Sequence, residues 1–126
     1  MVRLKRPKKQ KKFGLNLRLD ETEFCFLHEV KDKRGCAISA YIRFLLNRAA
    51  YEFSRIRQDR DDGMEIFLKE NKLTETFRMY ITESENEFLE RIKLERGVPK
   101  NGFIRWLIRR RMKEYESLKG ELFEIV

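Results

Sequence analysis

The stretch Leu15-Asn16-Leu17-Arg18-Leu19 alternates apolar and polar residues with a period of two. Side chains of a β-strand point alternately to its two faces, so the alternation predicts a short strand with one buried face. A single strand of this length is not stable in water and needs a partner strand. The fold therefore depends on where a second strand comes from.

A second stretch, Phe77-Arg78-Met79-Tyr80-Ile81, repeats the alternation in the same phase 62 residues later. Over the 39 positions from Leu15 to Phe53, 12 residues recur identically at this spacing. Ordinary composition would give roughly two or three such identities. The residues that recur identically 62 positions later are Glu21, Glu23, Phe26, Leu27, Lys31, Arg34, Gly35, Ile42, Arg43, Leu45, Arg48 and Glu52. We interpret the pattern as an internal duplication.

At 126 residues the chain has the length of one ordinary domain. Each repeat, at about 45 residues, is too small to bury a good core by itself. The two repeats are therefore predicted to share one core. The predicted segments are a basic arm over residues 1–12, a first repeat over 13–53, a linker over 54–75, a second repeat over 76–115 and a C-terminal tail over 116–126.

Each repeat reads as a strand followed by two helices that are separated by a glycine turn. Asp20 is a predicted N-cap, and Thr82 with Glu85 is a predicted capping box. Gly35 and Gly97 are predicted to end the first helix of each repeat, because glycine adopts the left-handed conformation at little cost.

The second helix of each repeat has apolar residues at spacings of three and four, which indicates an amphipathic helix. Phe44 and Trp106 occupy equivalent positions beside this apolar stripe. They are interpreted as the edge of the core, and the alternative is an apolar patch for contact between chains. In the linker, Met64–Leu68 is predicted to form a short extra helix.

Positive charge is concentrated at the N-terminus. The formal net charge is +8, and residues 1–12 contain seven Lys and Arg and no acid, which leaves +1 for residues 13–126. Such a run attracts polyanions, so Lys8, Lys9, Lys11 and Lys12 are predicted to contact phosphates. The alternative is a disordered tail that only aids solubility.

Several classes of function are not expected. His28 is the only histidine, and with Cys25 and Cys36 it does not supply the usual ligands of a zinc site, so buried free thiols are expected. The chain has neither a glycine-rich phosphate loop nor paired catalytic acids, so we expect no enzyme, cofactor or small-molecule substrate. No apolar run reaches the roughly 18 residues of a membrane span, and no secretory signal is present, so the protein is expected in the cytoplasm.

The order of strand, helix, glycine turn and long helix, found twice, resembles the ribbon-helix-helix family of DNA-binding transcriptional regulators, to which MetJ and Arc repressor belong. The resemblance covers about residues 13–53 and 75–115. It implies a mainly α fold with a two-stranded antiparallel β-ribbon. Family members usually supply one strand from each of two subunits. Here the resemblance implies that one chain supplies both strands, as an intramolecular pseudo-dimer.

If the apolar side chains of both strands face the helices, the polar ones face outward. A two-stranded ribbon fits the major groove, where Arg can bond guanine and Asn can bond adenine. The outward residues are Gly14, Asn16, Arg18, Thr76, Arg78 and Tyr80. All of these except Gly14 are predicted to read bases. The alternative is that they form only the solvent face of a sheet.

The resemblance also implies phosphate contacts at the N-terminus of the second helix in each repeat. By position these residues are Ser39 in the first repeat, and Lys100 and Asn101 in the second. The usual hydroxyl cap is absent, because Ala37 and Pro99 occupy its positions. Plain helix capping is the alternative role for the three residues.

One further departure concerns buried charge. Where Arc repressor buries an Arg–Glu–Arg triad, this chain has residues with little or no polarity in both repeats, which predicts an apolar core there. The residues are Cys36, Tyr41, Leu45, Val98, Phe103 and Leu107.

The predicted function is a sequence-specific double-stranded DNA-binding regulator, repressor or activator, similar to small tandem regulators of archaeal viruses and plasmids. It would act at the nucleoid or in the host-cell cytoplasm, with a homodimer or higher oligomer on DNA left open. One alternative is an antitoxin-like or adaptor protein that binds a protein partner through its tail. Another is a non-specific nucleic-acid packaging protein that depends mainly on the arm.

Overall fold

The computed structural model describes residues 12–55 and 73–117, which contain two strands and four helices. The elements in chain order are β1 (Lys12–Leu19), α1 (Glu21–Arg34), α2 (Ile38–Arg55), β2 (Glu75–Thr82), α3 (Glu83–Arg96) and α4 (Lys100–Ser117). The described part is mainly helical, and the order strand, helix, helix occurs twice, as the sequence predicts. The predicted helix at Met64–Leu68 and most of the predicted arm and tail lie outside the described residues.

β1 and β2 form a two-stranded antiparallel sheet, here called the ribbon, in which both strands come from one chain. Near its centre Asn16 lies opposite Arg78. These residues are 62 positions apart, which is the spacing that relates the two strand sequences. The ribbon is thus centred on one pair of corresponding positions, and the other residues of the two strands pair in antiparallel order around it.

The two faces of the ribbon differ as the alternation predicts. Leu17, Leu19, Met79 and Ile81 are at most 2% exposed and belong to the core between the ribbon and the helices. Leu15 and Phe77 are partly buried against the same core. The opposite face exposes the polar residues Lys12, Asn16, Arg18, Thr76, Arg78 and Tyr80.

Capping boxes start the helices that directly follow the strands. The Asp20 carboxylate accepts a 2.8 Å hydrogen bond from the Glu23 amide, and the Glu23 carboxylate accepts one of 3.0 Å from the Asp20 amide. Thr82 and Glu85 form the same reciprocal pair at α3. The predicted N-caps are confirmed, and each places a glutamate one turn beyond the end of a strand.

Gly35 and Gly97 end α1 and α3 in the left-handed conformation, with φ of 64° and 68°. Each amide donates to the carbonyl four residues earlier, on Lys31 and Lys93 respectively. This confirms both predicted helix ends. The turns direct α2 and α4 back across the inner face of the ribbon.

Phe44 and Trp106 have different environments. Trp106 is 4% exposed, stacks on Phe103 with ring centroids 5.6 Å apart, and meets the edge of Phe53. Phe44 is 52% exposed on α2. The prediction of core edge is therefore confirmed for Trp106 and wrong for Phe44, because no comparable aromatic group encloses Phe44 among the described contacts.

A buried ionic cluster joins the two halves of the chain, residues 12–55 and 73–117. Glu23 on α1 is fully buried and accepts 2.9 Å hydrogen bonds from Nε of Arg105 and Nε of Arg109 on α4. Arg105 is itself buried, and Arg109 also contacts Asp20. One capping glutamate thereby holds α4 against the start of α1.

A second ionic cluster, around Glu85, also joins the two halves but is more exposed to solvent. Glu85 on α3 accepts hydrogen bonds from Nε of Arg43 at 3.1 Å and from Nδ2 of Asn47 at 2.7 Å, both on α2. Burial raises the pKa of Glu85, but hydrogen bonds from Thr82, Asn47 and Arg43 outweigh it, and the net pKa is lowered. The Arg43 side chain remains 45% exposed.

The predicted apolar core is observed, but buried charges are present at other positions. Tyr41, Leu45, Phe103 and Leu107 are buried, as the predicted apolar core requires. The buried charges are instead the two capping glutamates, Glu23 and Glu85, and Arg105. Residues of the same type recur at these positions with the 62-residue spacing, which was the available signal for a shared structural role.

The unequal burial of the two clusters predicts unequal costs of breaking them. Glu23→Ala removes the buried carboxylate that bonds Nε of Arg105, and the remaining ion pair of Arg105 with Asp20 is longer, at 3.5 Å. The loss should lower the free energy of unfolding by about 3–5 kcal/mol. Glu85→Ala is a matched control, because it also removes a capping-box glutamate but leaves an arginine that water can reach. Its cost should be about 0.5–2 kcal/mol, that of a lost cap. Urea unfolding measures both values, and equal losses would contradict the assigned difference in burial.

Candidate nucleic-acid interface

The outer face of the ribbon is its exposed side. In register, its four rows are Lys12 with Thr82, Gly14 with Tyr80, Asn16 with Arg78, and Arg18 with Thr76. The predicted outward orientation of Gly14, Asn16, Arg18, Thr76, Arg78 and Tyr80 is confirmed by their exposure. These eight residues include three cations and no carboxylate. The outer face is therefore positively charged although the chain beyond residue 12 is nearly neutral.

Arg78 lies at the middle of the outer face and is held by its neighbours. Its Nη1 donates a 2.8 Å hydrogen bond to Oδ1 of Asn16 on the opposite strand. Its Cζ lies 5.4 Å from the centroid of the Tyr80 ring, within range of a cation–π contact. The guanidinium thus crosses from β2 over β1.

Gly14 provides the space that Arg78 occupies. A Cβ atom at position 14 would lie closer to Nη2 of Arg78 than such atoms approach. The absence of a side chain therefore allows the guanidinium to lie against the backbone of β1. Gly14 received no role in base reading from the sequence, although a glycine inside a strand can mark a close approach.

Arg18 and its register partner Thr76 form the row at the end of the outer face that is farthest from Lys12. Its backbone N–H donates to Oδ1 of Asn101 at 2.7 Å, and its carbonyl accepts from Nδ2 of Asn101 at 3.0 Å. Asn101 is in the first turn of α4. This paired contact positions the N-terminus of α4 beside the end of β1.

The residues predicted to bind phosphates have different surroundings. Asn101 uses both polar groups on the Arg18 backbone, and Lys100 bonds Asn86 and pairs with Glu90 on α3. The hydrogen bond and charge of Lys100 lower the pKa of Glu90. Ser39 lies in the first turn of α2 and is half-buried. Phosphate binding by these residues stays a prediction.

The boundary between the predicted arm and the first strand lies one residue earlier than expected. Lys12 is the first residue of β1 and is paired with Thr82, so it belongs to the ribbon and not to the arm. Lys8, Lys9 and Lys11 lie outside the described residues. Lys12 therefore extends the row of cations along the outer face.

The cysteines, the acidic groups and the helices of residues 12–55 and 73–117 also bear on the kinds of site that these residues can form. Within these ranges, no three His, Cys, Asp or Glu side chains are grouped so that they could hold a metal ion. Cys25 and Cys36 are free thiols, but the prediction that both are buried is wrong for Cys25, which is exposed on α1, and Cys36 is only half-buried. No helix in these ranges is both long and apolar enough to cross a membrane.

The register predicts a specific crosslink within one chain. Asn16→Cys and Arg78→Cys place two thiols opposite each other, at a cross-strand distance that suits a disulfide. In a background with Cys25→Ser and Cys36→Ser, mild oxidation should give an internally crosslinked monomer at a rate independent of protein concentration. Non-reducing electrophoresis and mass spectrometry detect it.

The single variant Asn16→Cys is the control for this crosslink, since it can form disulfides only between chains. Covalent dimers as abundant from the double variant as from the control would contradict a ribbon built within one chain. They would indicate pairing of strands from two molecules.

Comparison of the chain with protein-family models, with curated proteins and with solved structures finds no match. Its function is therefore argued from the described residues and their geometry.

Proposed function

We propose that this chain is a sequence-specific double-stranded DNA-binding transcriptional regulator of the ribbon-helix-helix kind, which inserts its ribbon into the major groove. The observation that carries the proposal is the outer face, where three cations and no carboxylate stand on a ribbon backed by helices. The major groove of B-DNA admits a two-stranded ribbon. Arg, Asn, Thr and Tyr side chains on its exposed side can reach base edges and phosphates there.

The proposal includes a duplicated unit that forms an intramolecular pseudo-dimer. The order strand, helix, helix occurs twice, and residues 62 positions apart meet at the middle of the ribbon. The ionic clusters support it as well, since Glu23 binds Arg105 while Glu85 binds Arg43. Each half thus supplies a capping glutamate to an arginine of the other half, the reciprocity that an approximate two-fold axis requires.

Phosphates flanking the ribbon would be bound by positive groups near its ends. Lys12 extends the outer face at one end, and residues 1–11, with six Lys and Arg and no acid, directly precede it. At the other end Asn101 holds the N-terminus of α4 beside Arg18. A helix N-terminus favours an anion through its free amides and its dipole.

An asymmetric DNA site follows from this arrangement. A homodimer presents identical strands and therefore matches a palindromic site. Here Gly14 with Tyr80 lies on one side of the central Asn16–Arg78 row, and Arg18 with Thr76 lies on the other. We propose that each chain prefers a non-palindromic core.

Two single variants test base reading by the ribbon. Arg18→Ala and Arg78→Ala should each weaken binding to the preferred site by roughly 1–3 kcal/mol and relax base preference there. Because the two arginines lie in different rows, the affected base pairs should differ between the variants. Selection from a random duplex library, followed by fluorescence anisotropy, measures preference and affinity.

The two variants control for each other, since each removes one guanidinium from the same face. Their effects on binding to random duplex should be small and equal. Unchanged base preference in both would show that the ribbon is not the reader and would exclude this mechanism.

The arm should act through charge alone. Deletion of residues 1–11 removes six cations while leaving β1 whole. We expect weaker binding to specific and random duplexes together, and a shallower slope of log K against log salt concentration, because fewer counterions are released. Titrations at several salt concentrations measure the slope. An unchanged slope would place the arm off the DNA, and a loss confined to one sequence would indicate minor-groove reading.

These measurements also distinguish a regulator from a non-specific packaging protein. A packaging protein would lose affinity on deletion of the arm and show no base preference that depends on Arg18 or Arg78. An antitoxin-like or adaptor role depends on the tail, residues 116–126, most of which lies outside the described residues.

A further inference from the structure

The middle of the outer face presents mainly hydrogen-bond donors. Arginine carries only N–H donors, so the atom of Asn16 that faces Arg78 must be its carbonyl oxygen. The 2.8 Å distance from Nη1 to Oδ1 agrees with this assignment. With its oxygen bonded to Arg78, Asn16 retains its amide N–H₂ group as the part that can bond a ligand as a donor.

A pair of donors distinguishes the bases in the major groove. Adenine shows an acceptor beside a donor, so bidentate bonding by asparagine needs both its oxygen and its nitrogen. Guanine shows two adjacent acceptors, O6 and N7, and cytosine shows a donor. Because the Asn16 oxygen already accepts from Arg78, adenine N6 would have to share that oxygen, whereas the donors of both residues match the two acceptors of guanine without competition.

The position of Arg78 is also restricted before any ligand binds. Asn16 holds one nitrogen, the Tyr80 ring lies beside the guanidinium, and the bare backbone of Gly14 leaves room for Nη2. A side chain already held in place loses less conformational entropy on binding. The restriction also displaces the donors toward the row of Gly14 and Tyr80, away from Arg18.

We propose that Arg78 and Asn16 form one donor unit that selects guanine, placed off the centre of the ribbon toward the row of Gly14 and Tyr80. This inference rests on the proposed function and specifies the base chemistry of that same site. It replaces the expectation that Asn16 bonds adenine. It also assigns Gly14 as a positioning residue, which acts through Arg78 and need not touch DNA itself.

Gly14→Ala tests the inference without changing any charge. The added methyl group would clash with Nη2, and since that atom is the far end of a flexible side chain, Arg78 moves while the fold is kept. For the wild type we expect selected sites with a guanine under this unit and a preference over adenine of roughly 5- to 150-fold. In Gly14→Ala most of that preference should be lost, while affinity for random duplex stays within about twofold, since the phosphate term depends on charge.

Replacement of the selected guanine by 7-deazaguanine removes the N7 acceptor and should weaken the wild type but affect Gly14→Ala much less. Arg18→Ala is the control variant, and it should keep the guanine preference at this position. Urea unfolding of Gly14→Ala, with a midpoint close to that of the wild type, shows that the fold is retained.

The outcomes separate this inference from the proposed function. A wild type that selects a site without this guanine, or a folded Gly14→Ala variant that keeps the guanine preference, overturns the donor unit while sequence-specific binding stands. A wild type that shows no base preference at all overturns both. A folded Gly14→Ala that loses guanine preference alone, with the 7-deazaguanine effect, supports the donor unit.

Discussion

The antiparallel pairing of β1 with β2 is the interaction on which the rest of the structure depends. A two-stranded sheet is marginal in water, so its apolar face must be covered and its other face remains exposed. Leu17, Leu19, Met79 and Ile81 require that cover, and the four helices provide it. Because both strands belong to one chain, their pairing is an intramolecular closure, whose entropic cost grows only slowly with the length of the connecting segment.

The two halves have the same architecture but are not interchangeable. Glu23 is fully buried between two arginines, whereas Glu85 is bonded by an arginine that remains accessible and by Asn47. A buried charge is costly unless it is paired and hydrogen-bonded, so the Glu23 cluster restricts how α1 and α4 can pack. A single chain can adopt such differences because each half is encoded separately, while the two subunits of a homodimer must share one sequence.

The two strands also differ in the residues that they place on the outer face. The arrangement of Arg78 over Gly14 requires a glycine on one strand and an arginine two positions toward the middle on the other. In a homodimer of either half this combination would be absent, because the first strand has asparagine where the second has Arg78, and the second has Thr76 where the first has Gly14. Asymmetry of the sequence therefore creates a contact that neither strand contains alone.

Features that depend on a few neighbouring residues could be predicted from the amino-acid sequence. The alternation from Leu15 to Leu19, the Thr82–Glu85 capping box and the glycine at the end of α1 were predicted because strand faces and helix caps are local. The register, the Glu23–Arg105 pair and the position of Arg78 over Gly14 were not predictable in this way. These contacts join residues 56 or more positions apart. Trp106 and Phe44 share a position in the pattern yet differ in burial, since burial depends on which distant side chains arrive to cover a residue.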